Sequence, residues 1–154
     1  MDAEALTLQL TDAPDEADLA VVDAGLEASN RAAADLDAVQ PLAVFARDAG
    51  GAVVGGLRAR SWGRAAEIQQ LWVHPDLRLR GLGQRLMETA EAALIGRGCT
   101  LAYLETFSWQ APWLYLRCGY EIAAQFEGMP RLGVKYVMHK RLAGAVPADA
   151  VPTR

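Results

Sequence analysis

The chain has little of what several large classes of protein require. Its 154 residues include only two cysteines and two histidines. Two cysteines are too few for a disulfide framework, and no His or Cys stands at metal-ligand spacing around Cys99 or Cys118. Both are therefore expected to be reduced, small core hydrophobes, and no metal is expected. No run of about 18 apolar residues is present to span a bilayer, and the opening MDAEALTLQL carries acidic residues where a signal peptide has its apolar region. No membrane partner is expected, and the cytoplasm is the expected compartment. Positive charge is also scarce, with 15 Lys and Arg against 19 Asp and Glu for a net charge of −4. Nucleic-acid binding draws on a basic face, so no nucleic-acid partner is expected and any anion site must be local.

What is present suits one globular domain: 52% hydrophobic and 22% charged residues, in a chain long enough to bury its own core. Leu6, Leu8 and Leu10 alternate with polar residues, which predicts a strand. Turn and cap residues follow at Thr11 to Asp15, and the Ala-rich stretch from Glu16 to Val39 predicts one or two helices broken near Ser29 and Asn30. PLAVFARD and AVVGGLRARSW, either side of Ala49-Gly50-Gly51, predict a β-hairpin, and AAEIQQLWV, residues 65 to 73, a third strand. Leu82, Leu86, Ala90 and Ala93 or Leu94 share one face of a helix that Gly96 and Gly98 should end. TLAYLETF resumes a strand, so residues 65 to 106 read as a strand, loop, helix and parallel strand. Pro112 begins a short helix, PWLYLR. Residues Tyr120 to Ala124 and Val134 to Lys140 predict closing strands, the second of them exposed and able to pair across a homodimer. The tail from residue 143 is proline-bearing and expected to be disordered, leaving residues 1 to 142 as the domain.

The chemistry gathers at RLRGLG, residues 78 to 83. Two glycines at a loop-to-helix junction clear side chains from the backbone N–H groups of the first helical turn, at the positive end of the helix dipole. Arg78 and Arg80 add donors and charge, so the pattern predicts a phosphate or pyrophosphate site. The spacing fits neither the dinucleotide fingerprint, for want of a third glycine directly after a strand, nor the P-loop, for want of a lysine.

The ordered set of Leu71-Trp72-Val73, His74-Pro75, Arg78-x-x-Gly81-x-Gly83 and an amphipathic helix resembles the GCN5-related N-acetyltransferase (GNAT) superfamily. Its signature [QR]-x-x-G-x-[GA] is carried by Arg78, Gly81 and Gly83. A second block, Trp113-Leu114-Tyr115-Leu116-Arg117-Cys118-Gly119-Tyr120, is similar to the family's L-Y-x-[KR]-x-G-[FY], and Thr106 to Ala111 to a T-F-S-[FW]-Q-A stretch of small bacterial members. The resemblance covers roughly residues 40 to 142. It implies an α/β single domain: a mixed, mostly antiparallel central sheet with one parallel β-α-β unit and flanking helices.

The resemblance further implies an acetyl-CoA-dependent N-acetyltransferase acting by direct attack of a primary amine, on a small molecule or an exposed peptide amino group. The alternative is a non-catalytic CoA-binding regulatory module. Acetyl-CoA would rest its pyrophosphate on the loop residues Arg78, Leu79, Arg80, Gly81, Leu82, Gly83 and Gln84. Its pantetheine arm would lie along Leu71, Trp72 and Val73, where a strand-edge N–H can hold the thioester carbonyl. Tyr115 matches the family's general acid. Many members carry a carboxylate just before the position of Leu71, but here Gln69 and Gln70 stand there, and neither can take a proton. Glu105 is the favoured base, with Glu67 or a water chain as alternatives. Trp62, Trp109 and Trp113 are candidate walls of the acceptor pocket.

Overall fold

The computed structural model describes residues 6 to 34 and 38 to 142. The chain divides into two compact units between residues 36 and 37. In the first, residues 6 to 10 form no strand and their leucines are exposed. Alternation fixes only where side chains would point; a strand also needs a partner's hydrogen-bonding ladder, and these residues pair with none. Helix α1 (Glu16–Ala33) then starts at Asp15, whose carboxylate accepts from the Ala17 N–H at 2.7 Å. It runs unbroken through Ser29 and Asn30, because the Ser29 hydroxyl donates back to the Gly25 carbonyl at 3.0 Å and so is satisfied inside the helix.

The second unit is a six-stranded mixed sheet with helices α2 (Leu82–Gly96) and α3 (Pro112–Arg117). Its strands are β1 (Gln40–Arg47), β2 (Val53–Trp62), β3 (Ala65–Val73), β4 (Leu101–Phe107), β5 (Glu121–Met129) and β6 (Gly133–Arg141). The order across the sheet is β1-β2-β3-β4-β6-β5, and β3 with β4 is the parallel pair. Helix α2 crosses between those two strands and packs on β1, β2 and β3. It buries Leu86, Met87, Ala90 and Leu94 against Leu57, Ala59, Ala66, Ile68, Ala102 and Leu104. Each of its large side chains contributes roughly 1.5–3 kcal/mol on full burial, which holds the helix start at the mouth of the sheet. The helix ends as its glycines predict: Gly98 takes the left-handed conformation, its N–H bonds Ile95 O, and Cys99 N–H bonds Leu94 O.

The expectation that β6 is free to pair across a dimer is corrected by the strand order. β6 is bonded to β4 on one side and β5 on the other, and the sheet's free edges belong to β1 and β5. The sequence marked β6 as a strand but carried no sign of which neighbour would lie outside it. The expected tail, from residue 143, lies outside the described residues. No helix among the described residues is long and apolar enough to cross a membrane.

Candidate functional site

The site lies where β3 and β4 part. Their ladder runs from Ala65 opposite Leu101 to Ile68 opposite Leu104 and stops there, although β3 continues to Val73 and β4 to Phe107. The cause is local. On its other side β3 pairs with β2, where Arg58 faces Gln70 but Ala59 faces Ile68, so Gln69 is an extra residue. Such a bulge bends the strand and switches the face that later side chains take. Ile68 is buried, and beyond the bulge Leu71 and Val73, in place of Gln70 and Trp72, pack against the core. From Gln69 onward the β4-facing backbone groups of β3 therefore have no ladder partner.

A cleft of ≈ 890 Å³ opens between the parted strands. Of the residues expected to hold the donor, Leu71, Trp72, Val73, Arg78, Leu79, Gly81, Leu82, Gly83 and Gln84 all line it, and so do Glu105 and Tyr115. Arg80 does not. Trp109 and Trp113 are in its wall, while Trp62 is elsewhere, under the Arg60 guanidinium at 4.3 Å.

At one end of the cleft the loop after β3 is drawn back by Arg78, whose Nε donates to the Val73 carbonyl at 3.1 Å. Leu79 and Gly81 both adopt left-handed backbone angles, and among the described residues the N–H groups of residues 79 to 84 meet no acceptor. Helix α2 has no side-chain cap and no acidic residue in its first turn. Successive unpartnered amides in such a turn form a nest for an anion. The two glycines serve different ends. Gly81 has φ +79 with nothing within 4 Å of where a Cβ would stand, so it supplies conformation and open space. Gly83 supplies clearance, since its Cβ would meet Leu114 of α3 at 3.0 Å.

Two hydroxyls and one carboxylate also line the cleft. Tyr115 is buried on α3, its ring edge-on to Tyr120 at 6.3 Å, and burial, helped by Cys118, raises its phenol above the ordinary value. Thr106, two residues beyond the last rung on β4, is buried with its hydroxyl unpartnered. The sequence offered no sign of this residue beyond its place in the similar T-F-S-[FW]-Q-A stretch. Glu105 is its neighbour on the opposite face, half exposed and ion-paired with Lys135 of β6. No other carboxylate among the described residues lines the cleft; Glu67 is bound away from it to Arg60 at 2.5 Å. Cys99 is buried, and burial raises its thiol as it does that of Cys118. No group of three His, Cys, Asp or Glu that could hold a metal occurs among the described residues.

This arrangement can seat a phosphate-bearing chain at the loop, hold an extended amide-containing arm against the free edge of β3, and offer it a phenol and a carboxylate in the same cleft. Residues 40 to 122 match the family model described as the acetyltransferase (GNAT) domain. A blasticidin-S acetyltransferase from Streptomyces morookaense is 36% identical over 107 residues, covering 67% of this chain and 79% of that one. In fold, the chain is similar to an acetyltransferase from Bacillus cereus, with a TM-score of 0.77 at 22% identity over 87% of this chain and 98% of the other. It is also similar to an aminoglycoside 6'-N-acetyltransferase solved with coenzyme A, with a TM-score of 0.60 at 20% identity over 70% and 76%. Both the parted strands and the matched residues lead to one conclusion: the chain belongs to the GNAT family and is an N-acetyltransferase.

Proposed function

We propose that acetyl-CoA binds with its pyrophosphate on the amides of residues 79 to 84 and its pantetheine arm along Leu71 to Val73, and that the acetyl group passes directly to the primary amine of a small molecule. The observation that carries this reading is the release of β3 from β4 at Ile68, which leaves a free strand edge along the cleft that the amide nest, Tyr115 and Glu105 also line. The residues present fit the donor. Open space stands over Gly81, the amides there lack partners, and a strand edge offers N–H and C=O groups to an amide-bearing arm.

In the reaction the amine nitrogen bonds to the carbonyl carbon, the carbon–sulfur bond breaks, and its electron pair goes to sulfur. A backbone N–H of the β3 edge receives the carbonyl oxygen as its charge develops. Tyr115 gives its proton to the sulfur, and Glu105 takes the proton that the nitrogen sheds; exchange with water restores both. Alternation along β4 puts Glu105 on the face opposite the buried Thr106. The relative's name, blasticidin-S acetyltransferase, supports a small-molecule acceptor over a peptide amino group.

The test is calorimetric titration with CoA and desulfo-CoA, followed by thiol release from acetyl-CoA against amines, polyamines, amino acids, aminated antibiotics and a basic peptide. Release on a small-molecule class is expected. Binding without release on any acceptor would return the reading to a regulatory CoA module, and absence of binding would overturn the placement of the donor.

A further inference from the structure

The cleft contains one buried polar side chain that the reaction leaves unused. Thr106 is 2% exposed, and its Oγ1 has no hydrogen-bond partner among the described residues. A hydroxyl buried in that way is destabilising relative to a satisfied one. Native interiors seldom retain such a group, and a ligand that satisfies it is one reason for retention. The position is specific. Ile68 and Leu104 form the last rung of the parallel ladder, and Thr106 is two residues further on, roughly 6–7 Å along β4. That brings it level with the bulged segment of β3 at Gln69 and Gln70, which line the same cleft.

Side-chain alternation supplies the direction. Ala102, Leu104 and Thr106 are the buried positions of β4 and share the face on which α2 packs, whereas Tyr103 and Glu105 take the other. Tyr115 is buried in the same cluster as Leu104 and Leu86 and also lines the cleft. Thr106 therefore takes the face of β4 opposite Glu105, and it lines the same cleft as Tyr115. A thiolate leaving from this point would meet a single acid in Tyr115, whose ordinary pKa of about 10 is above that of a thiol near 8.5. A second donor that shares the charge without giving up its proton eases that mismatch.

We propose that the Thr106 hydroxyl donates a hydrogen bond to the sulfur of CoA, beside Tyr115, and is the second group that stabilises the leaving thiolate. This rests on the placement of the donor argued above. The bond persists through the reaction: the Thr106 proton stays on Oγ1, and the proton that reaches sulfur comes from Tyr115.

The experiment compares wild type, Thr106→Val and Thr106→Ser for affinity to CoA and to desulfo-CoA by calorimetry, with the melting temperature of each free protein. Valine keeps the shape and removes the hydroxyl, so the free variant should melt no lower than wild type. Its affinity for CoA should fall about tenfold while that for desulfo-CoA is unchanged, and serine should recover most of the loss. An equal loss for both ligands would place the hydroxyl on the pantetheine arm and overturn the proposal. Unchanged affinity for both, with a higher melting temperature, would make Thr106 a buried hydroxyl with no ligand and overturn it as well. Wild type that binds neither ligand would instead fail the donor placement itself.

Discussion

A Cβ on Gly83 would stand 3.0 Å from Cδ2 of Leu114, so the first turn of α2 and helix α3 approach each other through the absence of a side chain. The phosphate loop and the helix that carries Tyr115 are thereby packed as one piece. Gly81→Val and Gly83→Val should consequently fail in different ways. At Gly81 the left-handed backbone opposes any branched residue, at roughly 1–2 kcal/mol, and the new side chain enters the space over the amides. CoA affinity should fall at least tenfold with a modest drop in melting temperature. At Gly83 the new side chain drives Leu114 away, so the melting temperature and kcat should both fall clearly. Calorimetry and thermal unfolding of the two variants separate the roles; identical behaviour would contradict them.

Tyr115→Phe keeps the buried ring and its edge-on contact with Tyr120 while removing the proton. Turnover should fall roughly 10²-fold, the lower end of what general acid catalysis contributes, with CoA affinity nearly unchanged. Burial holds the wild-type phenol above its ordinary value, so the acid form persists as pH rises. No alkaline loss of kcat assignable to Tyr115 should therefore be seen below about pH 10. A decline centred well below that, absent from the phenylalanine variant, would show that the phenol is not held up.

For the base, Glu105→Gln and Glu67→Gln give opposite expectations despite their similar chemistry. Glu105 lines the cleft and Glu67 is held by Arg60, so only the first substitution should lower kcat/KM, by about 10²-fold or more. If Glu67→Gln is the damaging change, the proton leaves by the other strand, and the Arg60 pair belongs to the mechanism.

The contrast between these two carboxylates shows what the chain made legible. Local periodicity and glycine placement were enough for β3, α2, α3 and the amide nest, because those depend on neighbours within a few residues. Gln69 was legible in principle: Ile68 and Leu71 are three apart in a strand whose period is two, which is the mark of a bulge. Which residues pair across the sheet was not. The pairing of β6 with β4, the Lys135 partner of Glu105 and the contact of Gly83 with Leu114 all join segments about 30 residues apart. The Leu6 to Leu10 expectation failed for the same reason, since a strand is defined by a partner that its own residues do not encode. Nothing in the sequence singled out the Thr106 hydroxyl, because only the fold makes it buried and unpartnered.

Tyr120 carries a second hydroxyl of that kind, in a position away from the cleft lining. It is buried between β5 and α2 beside Glu91, whose Oε2 accepts from Lys140 Nζ at 2.6 Å while its Oε1 has no partner among the described residues. Burial first, and then the negative charge of Glu91, push the Tyr120 phenol far above its ordinary value. For an acid whose folded pKa is raised, the associated stability is fully present below the unfolded pKa near 10 and is lost as pH climbs above it. Wild type should accordingly lose melting temperature from about pH 10 upward. Tyr120→Phe removes both the titration and the unsatisfied hydroxyl, so it should be at least as stable at neutral pH and should lose less above pH 10. Thermal unfolding of both proteins across that range decides it. A variant clearly less stable than wild type at neutral pH would mean that the hydroxyl is bonded to Glu91 in solution, making Tyr120, Glu91 and Lys140 one satisfied network that ties α2 to the far side of the sheet.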